Sequence, residues 1–173
     1  MSLVSEAEWV HGYMSTEELA WLAGVALGKR AIVEIGALEG RSTRLLARAC
    51  AGKVITVDLW RDEGVFARFN HHLKEEIAQG RLAFVRGASE RSLNLVRTLL
   101  PEGRADMIFI DGNHEYEHVR QDILDYRQLL IPGGLLCGHD FDHRDYPGVR
   151  KAVEELVQPH KIAVRLLWYA PHA

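Results

Sequence analysis

The sequence predicts an α/β protein with a Rossmann-like, doubly wound and mostly parallel sheet, shortened at its C-terminal end. Three observations predict it. Short apolar runs alternate with segments of helical periodicity from residue 31 to residue 157, the pattern of βαβ units with helices on both faces of a parallel sheet. Right-handed crossovers then leave few topologies besides the doubly wound one. The runs also end in residues that suit a ligand edge: Gly36, Asp58, Gly87, Asp111 and Asp140. In open α/β sheets that edge, outside the carboxyl ends of the strands, is where ligands bind.

Each element follows from its own residues. Ser15-Thr16-Glu17-Glu18 before L-A-W-L-A-G-V-A-L reads as a capped helix over 15–28, so residues 1–30 form an N-terminal helical segment ahead of a domain over 31–173. A-I-V-E-I at 31–35 is a buried strand. A glycine loop at Gly36–Gly40 leads into a helix over R-S-T-R-L-L-A-R-A-C. K-V-I-T-V-D at 53–58 is the second strand, 64–79 a polar helix, and L-A-F-V-R at 82–86 the third strand. A helix from Ser89 to Leu100 stops at Pro101 and Gly103. A-D-M-I-F-I-D at 105–111 is the fourth strand. Val119, Ile123, Tyr126, Leu129 and Leu130 give helical spacing over 115–130. I-P-G-G is a turn, and L-L-C-G-H-D at 135–140 is the fifth strand. Pro147-Gly148 opens a helix over 149–157, and K-I-A-V-R-L-L-W-Y supplies one last strand, with room for only a very short second one.

Composition excludes several classes. The chain has 173 residues, 47% apolar and 26% charged, with a net charge of −3 and the two signs interspersed. That fits one globular domain and gives no basic footprint for nucleic acid or an anionic membrane. No run approaches the roughly 20 apolar residues of a membrane span, and M-S-L-V-S-E-A-E-W lacks the form of a signal peptide. Cys50 and Cys137 read as buried thiols, which suits a reducing, cytoplasmic setting.

The loop between the first strand and its helix reads Glu34-Ile35-Gly36-Ala37-Leu38-Glu39-Gly40-Arg41-Ser42-Thr43. Two glycines permit a tight turn and a close ligand approach, and the helix start offers free N–H groups. Asp58 follows Gly36 by 22 residues at the end of the second strand, where a carboxylate can accept two hydrogen bonds from ribose hydroxyls. The spacing is not G-x-G-x-x-G, so a nicotinamide oxidoreductase is disfavoured. Taken alone, the glycines serve helix–sheet packing equally well.

E-x-G-x-x-x-G with Asp58 resembles motif I of the class I S-adenosylmethionine-dependent methyltransferases. I-D-G-N-H-E-Y-E-H-V-R-Q-D and L-L-I-P-G-G-L-L-C-G-H-D are similar to one branch, the macrocin- and mycinamicin-type sugar O-methyltransferases and the cephalosporin-biosynthesis methyltransferase-like proteins. The likeness covers about residues 30–157. It implies a class I methyltransferase fold and a site for S-adenosylmethionine formed by Glu34, Gly36, Gly40, Ser42, Asp58, Leu59, Ala88, Ser89 and Asp111. Gly87-Ala88-Ser89 would hold the adenine, although Ala88 departs from the acidic residue common there. Trp60 would flank the base or else pack in the core.

The resemblance also implies a divalent metal, Mg²⁺, Mn²⁺ or Zn²⁺, held by Asp111, His139 and Asp140, with His114 and Asp111 as catalytic residues and His114 as the base. His139 departs from the acidic pattern, and an imidazole suits Mn²⁺ or Zn²⁺ better than Mg²⁺. Simpler readings stand beside these: Asp111 as a helix cap, with Asn113 an equally good one; His139 as a satisfied buried histidine; His71-His72 as solvent-exposed; Trp9, Tyr13 and Trp21 as N-terminal packing, with Trp9 or Tyr13 covering the site mouth as the alternative. The expected function is methyl transfer to a small-molecule acceptor, through oxygen, with metal assistance. The rivals are a metal-dependent hydrolase built on Asp111, His114, His139 and Asp140, and a non-catalytic S-adenosylmethionine-binding module. With only short loops to build a pocket, a homodimer is expected; no nucleic-acid or membrane partner is.

Overall fold

The computed structural model describes residues 2–172. Two short N-terminal helices, α1 (Leu3–Glu8) and α2 (Thr16–Ala26), precede the alternating part. That part runs β1 (Ala31–Ile35), α3 (Arg41–Ala49), β2 (Lys53–Asp58), α4 (Glu63–His72), α5 (Lys74–Ala78), β3 (Leu82–Arg86) and α6 (Ser89–Leu99). It continues through β4 (Ala105–Ile110), α7 (Tyr116–Tyr126), β5 (Leu130–Gly138), α8 (Pro147–Leu156), β6 (Lys161–Ile162) and β7 (Trp168–Pro171). The sheet has seven strands in the order β3-β2-β1-β4-β5-β7-β6, with the first five parallel and β7 antiparallel to both neighbours.

All five residues of β1 are buried, because helices cover both faces of the sheet. Val33 and Ile35 face one apolar layer with Val96, Val119, Ile123 and Val153. Ile32 faces the other with Leu19, Leu22, Leu45 and Phe69, so α2 shares a core with α3 and α4. Each residue of this kind withdrawn from water contributes about 1.5–3 kcal/mol.

Four elements differ from the sequence expectation. The polar helix breaks in two at Leu73, whose side chain is fully buried and whose backbone (φ −105°, ψ 9°) leaves the helix. The helix over 115–130 ends at Tyr126, and Arg127–Leu129 form a 3₁₀ turn. β5 begins at Leu130 and absorbs Ile131–Gly134 as an irregularity: Ala105 pairs Leu130, whereas Met107 pairs Leu135. Pro132 and Gly133 (φ 75°) fit there because the ladder is interrupted. The last strand is a compressed hairpin instead, β6 with two residues and β7 with four, turning at Arg165 (φ 49°). Among the described residues no helix is long and apolar enough to cross a membrane.

Candidate active site

Two strand ends meet. Ile110 of β4 lies opposite Gly138 of β5, so the residues that follow, Asp111 and His139, emerge side by side. The Asp111 N–H donates to the Ile35 carbonyl at 2.8 Å and the His139 N–H to the Ile110 carbonyl at 3.1 Å. Gly138 permits this approach, since a Cβ there would sit 2.6 Å from the Trp168 ring. Asn113 turns the chain away after Asp111, accepting from the Glu115 N–H at 2.8 Å, so Asp111 does not cap α7 and faces the cavity.

His139 is the hub. It is buried, and Nε2 lies 3.1 Å from Glu18 Oε1 while Nδ1 lies 3.3 Å from Asp140 Oδ2 and 3.6 Å from Asp111 Oδ1. Burial alone would lower its pKa, but three surrounding carboxylates push it up to about 12. Burial opposes ionisation of Glu18 too, yet His139 and Ser15 as donors bring its pKa down to about 2. Asp140 is held below the ordinary carboxylate range, since the His114 and His139 donors outweigh burial. Asp111, where burial dominates, is shifted upward.

Asp140 also reaches His114, whose Nε2 lies 3.1 Å from Asp140 Oδ2. Asp140 adopts φ 61°, a strained conformation for a residue with a side chain, of the kind that collects at functional sites. The His114 ring stacks on Tyr146 at 3.9 Å between centroids, and Tyr146 stacks in turn on His143 at 4.3 Å. The base candidate is thus fixed at one edge by a carboxylate and on one face by a ring.

Sequence reasoning missed Glu18 and Tyr146 as parts of this site. Glu18 carried a signal for something else. Its Oε2 closes the capping box on Ser15 at 2.8 Å, while Oε1 takes His139 and the Leu166 N–H. Nothing in a sequence marks the second role, because the partner lies 121 positions away.

One donor atom each from Asp111, His139 and Asp140 lies within 4.8 Å of the others. Neighbouring ligands of an octahedral ion stand about 3 Å apart, so the donor set fits a divalent cation. Glu18 accepting from Nε2 would fix the ring with Nδ1 toward that ion, the usual carboxylate support of a ligating histidine.

Across the same cavity lies the glycine loop. Gly36 has φ 90°, and a Cβ there would stand 2.1 Å from the Asp111 carbonyl oxygen, so only glycine fits. Asp58 accepts from the N–H groups of Ala37 (2.8 Å), Leu38 (3.0 Å) and Trp60 (2.9 Å), which moulds the loop around the end of β2. Ser42, Leu59, Ala88 and Ser89 line the cavity with Asp58.

Two expected cofactor residues stand elsewhere. Glu34 is fully buried behind the loop, where the hydroxyls of Ser42 and Thr43 each donate to it at 2.6 Å. Gly40 (φ 95°) lies beneath Leu73, which would meet its Cβ at 2.3 Å. Both shape the loop from behind without lining the cavity. Trp60 is likewise a core residue, packed 4.4 Å from Phe69 and donating from Nε1 to the Leu38 carbonyl. At the rim, Arg41 donates to the carbonyls of Val10 and Met14 and holds His11–Met14 over the cavity. Tyr13 lines the cavity there, while Trp9 is 80% exposed and Trp21 packs on Tyr169. His71 is exposed, but His72 is half-buried against the Glu39 carbonyl.

The strand order and the antiparallel β7 give the fold of the class I methyltransferases. The family described as a methyltransferase domain matches residues 33–141, and the chain belongs to it. The uncharacterized protein R132 of Acanthamoeba polyphaga mimivirus is 29% identical over 132 residues; the match covers 72% of this chain and 58% of that one, so the chain spans under two thirds of the relative's length. An O-methyltransferase from Bacillus cereus in complex with S-adenosylhomocysteine shares the fold at a TM-score of 0.77 and 20% identity, covering 100% of this chain and 91% of its own. TomG of Streptomyces achromogenes, an O-methyltransferase, does so at 0.71 and 20%, with the same coverage. CalS11, a TDP-rhamnose 3'-O-methyltransferase of calicheamicin biosynthesis, does so at 0.73 and 16%, covering 88% of this chain and 76% of its own.

Proposed function

We propose that this protein transfers the methyl group of S-adenosylmethionine to an oxygen of a small-molecule acceptor, with His114 as the base. The observation that carries this reading is one cavity of about 880 Å³, lined by Asp58 at the end of β2 and by Asp111, His114 and His139 beyond β4 and β5. That volume lies within the roughly 300–1,000 Å³ of small-molecule sites. The O-methyltransferases that share the fold support oxygen as the atom methylated.

The acceptor oxygen forms its bond to the methyl carbon as the carbon–sulfur bond breaks, and the electron pair stays on sulfur as a neutral thioether. The acceptor's proton passes to His114 Nδ1. Asp140, accepting from Nε2–H, selects that tautomer and stabilises the imidazolium that forms. Most of the acceleration is orientation, which the loop at Gly36 and the ring of Tyr146 supply. Asp111, His139 and Asp140 are the residues that would hold a divalent ion. A bound ion supplies positive charge that acidifies a nearby hydroxyl.

Isothermal calorimetry with S-adenosylmethionine and S-adenosylhomocysteine, with and without Mn²⁺, tests the reading. One nucleoside site is expected, weakened in Asp58→Ala. His114→Ala is expected to bind S-adenosylhomocysteine like the wild type yet to transfer methyl groups ~10²–10⁴-fold more slowly. Failure of the wild type to bind either nucleoside overturns the proposal, and metal-dependent ester or phosphoester turnover without S-adenosylmethionine establishes the hydrolytic rival.

A further inference from the structure

A buried carboxylate on α7 has no part in the chemistry above. Asp122 is 3% exposed, yet it lines the cavity beside Gly87, Ala88 and Ser89. Its position follows from the helix register. Tyr126, one turn later on the same face, donates its hydroxyl to the Ser89 carbonyl at 2.8 Å and pins α7 to the start of α6. Asp122 therefore stands next to Ser89, on the cavity side. Ser89 is the hydroxyl residue near it, and Glu90, His118 and Asp125 are the charged groups around it. Burial raises its pKa to about 6. A carboxyl so buried with so few donors is costly unless something else pairs with it.

The place it occupies is set by the strand ends. Asp58 lies in register with Arg86, and the Gly87 N–H donates to the Asp58 carbonyl at 2.9 Å. A nucleoside with its ribose at Asp58 extends its base over Gly87-Ala88-Ser89, between the half-exposed Leu59 side chain and the start of α6. Ala88 has no polar side chain for the base edge, and Glu90 is exposed to water. We infer that Asp122 reads the adenine of the bound nucleoside, accepting from its exocyclic amine in place of a carboxylate on the β3 loop. A base with a carbonyl at that position would set two acceptors against each other in a buried site, so the residue selects adenine over hypoxanthine. The inference rests on the nucleoside reading above.

The test compares S-adenosylhomocysteine with S-inosylhomocysteine by calorimetry on the wild type, Asp122→Asn and Glu90→Gln. The wild type is expected to prefer the adenosyl compound by at least ~10-fold, the effect of leaving one buried polar group unpaired. Asp122→Asn, whose amide can turn its N–H toward the carbonyl, is expected to cut that preference at least about fivefold, with Glu90→Gln leaving it intact. Using a ratio separates recognition from folding, because a purely structural Asp122 weakens both ligands equally. An unchanged ratio in Asp122→Asn, or loss of the ratio in Glu90→Gln, overturns the inference while sparing the nucleoside site. Failure of the wild type to bind S-adenosylhomocysteine overturns both.

Discussion

At the scale of single residues, the site depends on carboxylates whose environments pull them apart. Glu18 and Asp140 are surrounded by donors and stay ionised; Glu34 is sealed behind the glycine loop, where burial raises its pKa to about 7 against the opposing hydroxyls of Ser42 and Thr43. A folded-state pKa raised above the unfolded value of 4.5 gives stability that is fully present below pH 4.5 and lost as pH climbs through about 7. Thermal midpoints measured from pH 4 to 8 are therefore expected to fall less steeply between pH 4.5 and 7 in Glu34→Gln than in the wild type; parallel profiles would show that Glu34 ionises normally. Asp58, Asp111, His114, His139 and Asp140 were legible in the sequence because each ends a strand or follows one closely, and strand ends share an edge. The inward role of Glu34 was not, since a carboxylate two residues before a loop glycine reads as a ligand contact until its hydroxyl partners are seen on the next helix.

At the scale of elements, the glycine loop is held from behind by the break between α4 and α5. Leu73 leaves the helix in order to fill the space over Gly40, which has no side chain to resist it. Gly40→Ala sets a Cβ against Leu73 at a backbone φ of 95° and is expected to destabilise the fold by roughly 2–4 kcal/mol, read as a lower denaturant midpoint. An unchanged midpoint would mean that Leu73 is free to withdraw. The alternation of strands and helices was readable from periodicity alone. The break at Leu73 was not, because a buried leucine continues a helical pattern as well as it ends one. The start of β5 at Leu130 was hidden by Pro132 and the two glycines, which signal a turn unless a neighbouring strand tolerates an irregular register.

At the scale of the whole molecule, residues from remote parts of the chain converge on one imidazole. Glu18 on α2 holds His139 at the end of β5 and the Leu166 N–H in the turn before β7, the latter 148 positions away. Glu18→Ala leaves His139 Nε2 and the Leu166 N–H without their shared acceptor, with Asp111 and Asp140 still at Nδ1, and is expected to cost ~1–3 kcal/mol, seen as a fall in the thermal midpoint. A fall of under about 1 kcal/mol would show the contact to be incidental. α2 precedes all five parallel strands and the Leu166 turn follows them, so the contacts that steady His139, Glu18 on one side and the Trp168 ring against Gly138 on the other, come from both flanks of the parallel sheet. The β6–β7 hairpin is therefore a clasp on the candidate site: loosening it would free the Leu166 N–H from Glu18 and the Trp168 ring from Gly138 together, so a change far from the cavity would be felt at His139.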